Sequence, residues 1–190
     1  MRMDVDSPVD AWTLPLTGER TVPGIPEENY WFRRHEIAYR FTLPLVSGRR
    51  VLEVGCGLGL PSLVAAAAGG RVLATDWAPD AIAAVRLNAA RNDLTLDTLV
   101  ADWRAPAALV AHGPWDLVIA ADVLYERRNA APLQALLEAL AAETWLADPG
   151  RAPADQLLAD LELAGWDRSI LAETRRPRVT VHRLRPGRMS

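Results

Sequence analysis

Residues 51–76 read VLEVGCGLGLPSLVAAAAGGRVLATD, and the reading of this stretch decides the fold. An apolar run (Val51, Leu52, Val54) leads through Glu53 into a glycine cluster. An alanine-rich stretch of helical character follows, and then a second apolar run (Val72, Leu73, Ala74) that ends at Asp76. Strand, glycine turn, helix, strand and terminal carboxylate form the βαβ pattern that binds nucleotides.

Spacing narrows the ligand. The glycines are Gly55, Gly57 and Gly59, whereas the dinucleotide fingerprint needs its third glycine at position 60, which is Leu60. That glycine permits the close packing that presents a helix N-terminus to a pyrophosphate, so a pyrophosphate ligand is disfavoured. The pattern suits a ribose-bearing ligand without phosphates, close to the backbone at Gly55 and Gly57. Asp76 would accept from the two ribose hydroxyls. Glu53 adds a carboxylate that repels phosphate and welcomes an ammonium. S-adenosylmethionine (SAM) has an amino group and a ribose and no phosphate. A plain strand-to-helix turn is the competing explanation of the glycines alone.

Working outward, the 190 residues fit one domain with a substantial core. Half the residues are hydrophobic and the net charge is -3. No lysine or arginine block exceeds a pair, so neither nucleic-acid nor anionic-membrane binding gains support. The single cysteine, Cys56, excludes an internal disulfide and a cysteine metal cluster. Lying inside the glycine turn, it reads as a small buried residue rather than a nucleophile. The three histidines (His35, His112, His182) are widely spaced, and no metal is expected. The N-terminus lacks the apolar core of a signal peptide, and no run reaches the roughly 18 apolar residues of a membrane span. The expected location is cytoplasmic.

Residues 1–28 are rich in Pro, Gly, Asp and Thr and read as an irregular arm. Apolar and aromatic residues then recur at helical spacing, predicting a helix over 28–43 that stops at Pro44. Residues 1–47 thus form an arm and lid, and 48–190 the ligand-binding domain. After Asp76, Pro79 and Asp80 mark a helix start, and Asn92-Asp93 its close. Strands are expected over 94–101, 115–121 and 144–147, and helices over 105–111, 130–142 and 154–164. Residues 166–173 and 179–184 alternate with period two as a closing pair, the last strand antiparallel. Five βα units and two closing strands make a doubly wound, mostly parallel seven-stranded α/β sheet. Glu53, Asp76, Asp102 and Asp122 all fall at or beside strand carboxyl ends, the edge where open α/β sheets bind ligands.

From residue 49 to residue 185 the chain resembles the class I, seven-stranded SAM-dependent methyltransferases. The resemblance implies that VLEVGCGLG, with Glu53, Gly55, Cys56, Gly57 and Gly59, is the methionine-and-ribose loop. It implies Asp76 as ribose acceptor, Trp77 as a neighbour of the adenine, Asp102 and Trp103 as adenine contacts, and Ala121 beside the cofactor. A carboxylate accepting from an exocyclic amine and an indole stacking on a purine agree with it. S-adenosylhomocysteine (SAH) is then the product.

Two further runs, Ala121-Asp122-Val123-Leu124-Tyr125-Glu126 and Asp148-Pro149-Gly150-Arg151, are similar to the protein-lysine methyltransferase-like family. Members of that family carry a DxxY at the fourth strand and, in the electron-transfer-flavoprotein branch, a DPGR after the fifth. Asp122 and Tyr125 then line the methyl-acceptor pocket as catalytic residues, the carboxylate holding an approaching nitrogen in line and the hydroxyl orienting it. Other readings stand beside these: a packing residue for Tyr125, a cap for Asp122, and a structural turn with its own ion pair for 148–151. The lead-in differs, since residues 17–24 and 28–36 look more like small-molecule and glycan methyltransferases. Tyr30, Trp31, Arg33 and His35 could touch substrate there, against packing of a lid helix for Trp31. The expected activity is methyl transfer from SAM to a nitrogen, foremost a protein lysine. A small-molecule O- or N-methyltransferase with His35 as base is the alternative, and a non-catalytic SAM-fold partner subunit a more distant one.

Overall fold

The computed structural model describes residues 45–175 and 178–187. The expected arm and lid helix, with Tyr30, Trp31, Arg33 and His35, lie outside the described residues. From Arg50 onward the elements alternate as β1 (Arg50–Val54), α1 (Leu60–Ala67), β2 (Arg71–Asp76), α2 (Pro79–Arg91), β3 (Asp97–Val100) and α3 (Ala107–Ala111). There follow β4 (Leu117–Ala121), α4 (Ala130–Leu140), β5 (Thr144–Asp148), α5 (Ala152–Leu163), β6 (Asp167–Arg175) and β7 (Arg178–Arg185).

The seven strands form one sheet in the order β3-β2-β1-β4-β5-β7-β6. Strands β1 to β5 run parallel, and β7 is antiparallel to both neighbours. The central strands are apolar almost throughout because helices cover both faces. Helices α3, α4 and α5 close one face over Leu52, Val118 and Leu146, with Leu109, Leu136 and Leu157 filling the space. On the other face, α1 sets Leu60 and Val64 against Val51, Val72 and Ile119. Beside it, α2 sets Ile82 and Val85 against Ala74 and Cys56. From β1 the chain runs outward through β2 to β3 on one side, then crosses back to β4 on the other side of β1. The crevice at the carboxyl ends of β1 and β4 is the topological switch point.

Helix α2 carries Pro79 and Asp80 in its first turn, and its chain leaves through Asn92 with Asp93 left-handed at φ 52°, as its sequence predicts. Several boundaries move by one to three residues, two of them for reasons the hydrogen bonds show. The third strand begins at Asp97 rather than residue 94, because the Leu94 N–H still bonds the Ala89 carbonyl (3.0 Å) and finishes the helix. Helix α3 begins at Ala107, since the Ala105 N–H closes a turn on the Asp102 carbonyl (2.9 Å). Period two also fails within β6: a register shift between Ile170 and Ala172 leaves Ile170 exposed and returns Ala172 to the core.

Candidate active site

The glycine turn owes its shape to what surrounds it. Gly55 has φ 67°, and a Cβ there would lie 2.8 Å from Val123 Cγ1 and 3.0 Å from Trp103 Cζ2. Gly59 has φ 84°, and a Cβ there would meet Val85 Cγ2 at 2.7 Å. So Gly59, not position 60, supplies the close approach between the start of α1 and α2. Position 60 is then free to be Leu60, the first residue of α1 and part of its buried face.

Glu53 explains the missing phosphate site more directly. Its carboxylate is buried, accepts the backbone N–H of Ser62 in the first turn of α1 (2.9 Å), and accepts the Ser62 hydroxyl as well. A phosphate placed at this helix start would meet a resident carboxylate on a donor it needs. Asp76 ties the second strand to the turn: Oδ2 accepts the Gly57 N–H (3.0 Å) and Oδ1 the Ala78 N–H (2.9 Å). Each oxygen keeps acceptor capacity for a diol. The Cys56 thiol is pushed far up by burial, then by the Glu53 and Asp76 carboxylates. It stays a thiol at physiological pH, in keeping with its expected bland role.

A cleft of about 510 Å³ opens at the switch point. It brings together Glu53, Gly55, Cys56 and Gly57 from the turn and Asp76 with Trp77 from the end of β2. Asp102 with Trp103 and Ala121 with Asp122 and Tyr125 complete it from the ends of β3 and β4. Of the expected residues within the described chain, Gly59 alone does not line it; its role is the contact with Val85. Trp77 is 70% and Tyr125 60% exposed, so both rings remain available to a ligand, whereas Trp103 is half-buried beside Gly55 and Val123. Asp102 Oδ1 accepts the Arg104 N–H (2.9 Å). Five carboxylates and two guanidiniums line the cleft among the described residues, which favours a cationic ligand.

At the rim, Asp122 takes a left-handed backbone (φ 58°), and its N–H bonds the Ala147 carbonyl (2.9 Å). Its carboxylate forms an ion pair with Arg151. The 148–151 turn is therefore structural and ion-paired together: buried Asp148 Oδ1 accepts the Gly150 and Arg151 N–H groups (both 2.7 Å). Burial raises the Asp148 carboxyl above its ordinary value, against the two backbone donors. Burial works to lower the Arg151 guanidinium, but the Asp122 and Asp148 carboxylates outweigh it and hold it above its ordinary value. Sequence reasoning missed Arg104, Glu126, Arg128 and Asn129 in the lining. Loop residues after a strand have no period that marks them. The fit to SAM is good: a carboxylate set for a diol, a turn that admits close approach, exposed rings and an acidic wall.

Residues 51–143 match the model of the methyltransferase domain family. Over these residues the chain carries a methyltransferase domain. A "probable S-adenosylmethionine-dependent methyltransferase" of Mycolicibacterium smegmatis is 48% identical over 81 residues, which are 43% of this chain and 32% of that protein. The electron transfer flavoprotein beta subunit lysine methyltransferase of Danio rerio is 32% identical over 130 residues, 65% of this chain and 49% of that protein. The chain thus spans about a third of the length of the first curated relatives it matches. In fold it is similar to the SAM-bound magnesium protoporphyrin IX methyltransferase of Synechocystis PCC 6803. The TM-score is 0.62 at 18% identity, covering 84% of this chain and 81% of that one. Among the described residues no helix is long and apolar enough to cross a membrane, and no cluster of metal-binding side chains occurs.

Proposed function

We propose that this chain transfers a methyl group from SAM to a nitrogen acceptor, foremost a lysine amine of a protein. The observation that carries the reading is Asp122. It is an aspartate in a backbone conformation few non-glycine residues adopt, at the end of β4, in a cleft already rich in carboxylates. The similarity to the Danio rerio lysine methyltransferase supports the same acceptor class.

SAM supplies an electrophilic methyl on a sulfonium, which leaves as the neutral thioether SAH when a nitrogen lone pair takes the methyl. Asp76 and the glycine turn would fix the ribose end, and Glu53 lies where an ammonium is welcome. Asp122 would accept a hydrogen bond from the incoming amine and hold its lone pair in line, and Tyr125 would orient it from the rim. The neutral amine attacks unaided, so no strong general base is required. The proton leaves from nitrogen to solvent through the carboxylate-lined mouth.

The test is transfer of tritium from methyl-labelled SAM to an electron transfer flavoprotein beta subunit, with a cell extract fractionated into protein and small molecules alongside. Label in protein lysine is expected. Asp122→Ala should lower transfer at least about a hundredfold while SAM still binds. Full turnover by Asp122→Ala would refute the acceptor assignment, and label confined to small molecules would replace lysine by a small acceptor.

A further inference from the structure

We infer that Arg151 is a positioning residue of the transfer site: it holds the Asp122 carboxylate in place from behind and offsets its charge toward the point of methyl transfer. This rests on the reading of Asp122 as an acceptor-pocket residue. Asp122 lines the cleft and Arg151 does not, which sets Arg151 to act on a bound ligand through its partner. The two side chains are ion-paired at 27% and 30% exposure, out of the full screening of solvent.

The placement of Arg151 is determined more than once. Its N–H is bonded to Asp148 Oδ1 (2.7 Å), and its Nη1 also lies 3.6 Å from Asp148 Oδ2, a buried atom with no hydrogen-bond partner among the described residues. Gly150, at φ 91°, turns the chain so that the guanidinium comes back across the carboxyl ends of β5 and β4. The pair so formed joins residues 29 apart in sequence. It restrains an Asp122 whose left-handed backbone would otherwise relax, at a cost on the order of 1–2 kcal/mol that its surroundings must meet.

Holding is only part of the consequence. A bare carboxylate beside the acceptor favours the ammonium, which has no lone pair and cannot take a methyl. A guanidinium directly behind that carboxylate works the other way and favours the neutral amine. Arg151 thereby lets Asp122 orient the nitrogen without fixing it in its unreactive state. A plain structural brace would restrain Asp122 and leave this electrostatic balance untouched.

The balance can be read without knowing the acceptor. Sinefungin carries an amino-bearing carbon where SAM has its methyl-bearing sulfonium, so near neutral pH it places an ammonium at the transfer point, whereas SAH places nothing charged there. The readout is the affinity of sinefungin relative to SAH by calorimetry, for the wild type, Arg151→Gln, Arg151→Lys and Asp122→Asn. SAH binding itself reports that each variant is folded. Arg151→Gln should favour sinefungin over SAH by about tenfold more than the wild type does, the effect of removing one nearby positive charge. Arg151→Lys, which keeps the charge, should stay within about twofold of the wild-type ratio, and Asp122→Asn should lower it about tenfold. If Asp122→Asn lowers the ratio while Arg151→Gln leaves it unchanged, the role of Arg151 is refuted and the acceptor reading stands. If neither changes it, Asp122 does not face the transfer point, and the acceptor reading falls with the inference.

Discussion

At the scale of single residues, the site is a set of atoms with two duties. Asp76 closes the turn by accepting the Gly57 and Ala78 N–H groups, and it faces the cleft with lone pairs to spare. Asp76→Ala should therefore weaken SAM binding by at least about tenfold, the loss of charge-assisted hydrogen bonds to a diol, while Asp122→Ala should not. Gly55 has less freedom to change: a methyl group there must adopt φ 67° and displace Val123 and Trp103. Gly55→Ala should lower stability by about 2 kcal/mol or more, read as a drop in the urea midpoint without a change in slope. The places of both are legible in the sequence, Asp76 from its distance past the glycines and Gly55 from the turn it opens, whereas the contacts that fix them are not. What spacing does not reveal is that Glu53 spends an oxygen on Ser62. A contact of that kind depends on how a helix lies over a strand, and nothing in the local pattern encodes it.

At the scale of elements, the helix start of α1 and the paired ends of β4 and β5 carry the account. Glu53 caps α1 through the Ser62 backbone and hydroxyl, both inside the core. Ser62→Ala removes the second of these bonds and should cost about 1–2 kcal/mol, checked by thermal unfolding with and without SAH. From residue 50 onward element order was readable, because apolar runs of strand length alternate with helical stripes. Boundaries were less so, and for nameable reasons: Leu94 is apolar and strand-like, yet its N–H completes the end of α2. In β6 the bulge at Ile170 and Ala172 breaks the alternation that marks the strand. The Asp148-to-Arg151 run stood out as a motif, but its partner lies on another strand, and only the fold brings Arg151 to Asp122.

At the scale of the whole molecule, a carboxylate gathers three arginines at the edge of the sheet away from the cleft. Glu143 receives Arg183 Nη2 and Arg185 Nε, both at 2.8 Å, with Arg49 Nη1 at 3.4 Å. These link the start of β5 to the start of β1 and the end of β7. Burial works to raise the Glu143 carboxyl, but the arginine bonds outweigh it and hold it down at about 2. His182, buried in β7, moves oppositely in charge preference: burial, then Arg168, lowers it to about 4. The unfolded chain thus binds protons more readily than the fold at both groups. The His182 contribution is complete above its unfolded value of 6.5 and is lost as pH falls toward 4, about 2 kcal/mol of it by pH 5. That of Glu143 is complete above 4.5 and is lost as pH falls toward 2. Melting temperature should accordingly fall in two steps on acidification, and His182→Leu should flatten the first step, leaving the second.

The central claim is that the cleft at the switch point is a SAM site, and a calorimetric titration with SAH tests it most directly. The account predicts one site per chain, an affinity at least about tenfold weaker in Asp76→Ala, and no heat with NAD. Equal SAH binding by the wild type and Asp76→Ala, or NAD binding in its place, would contradict it.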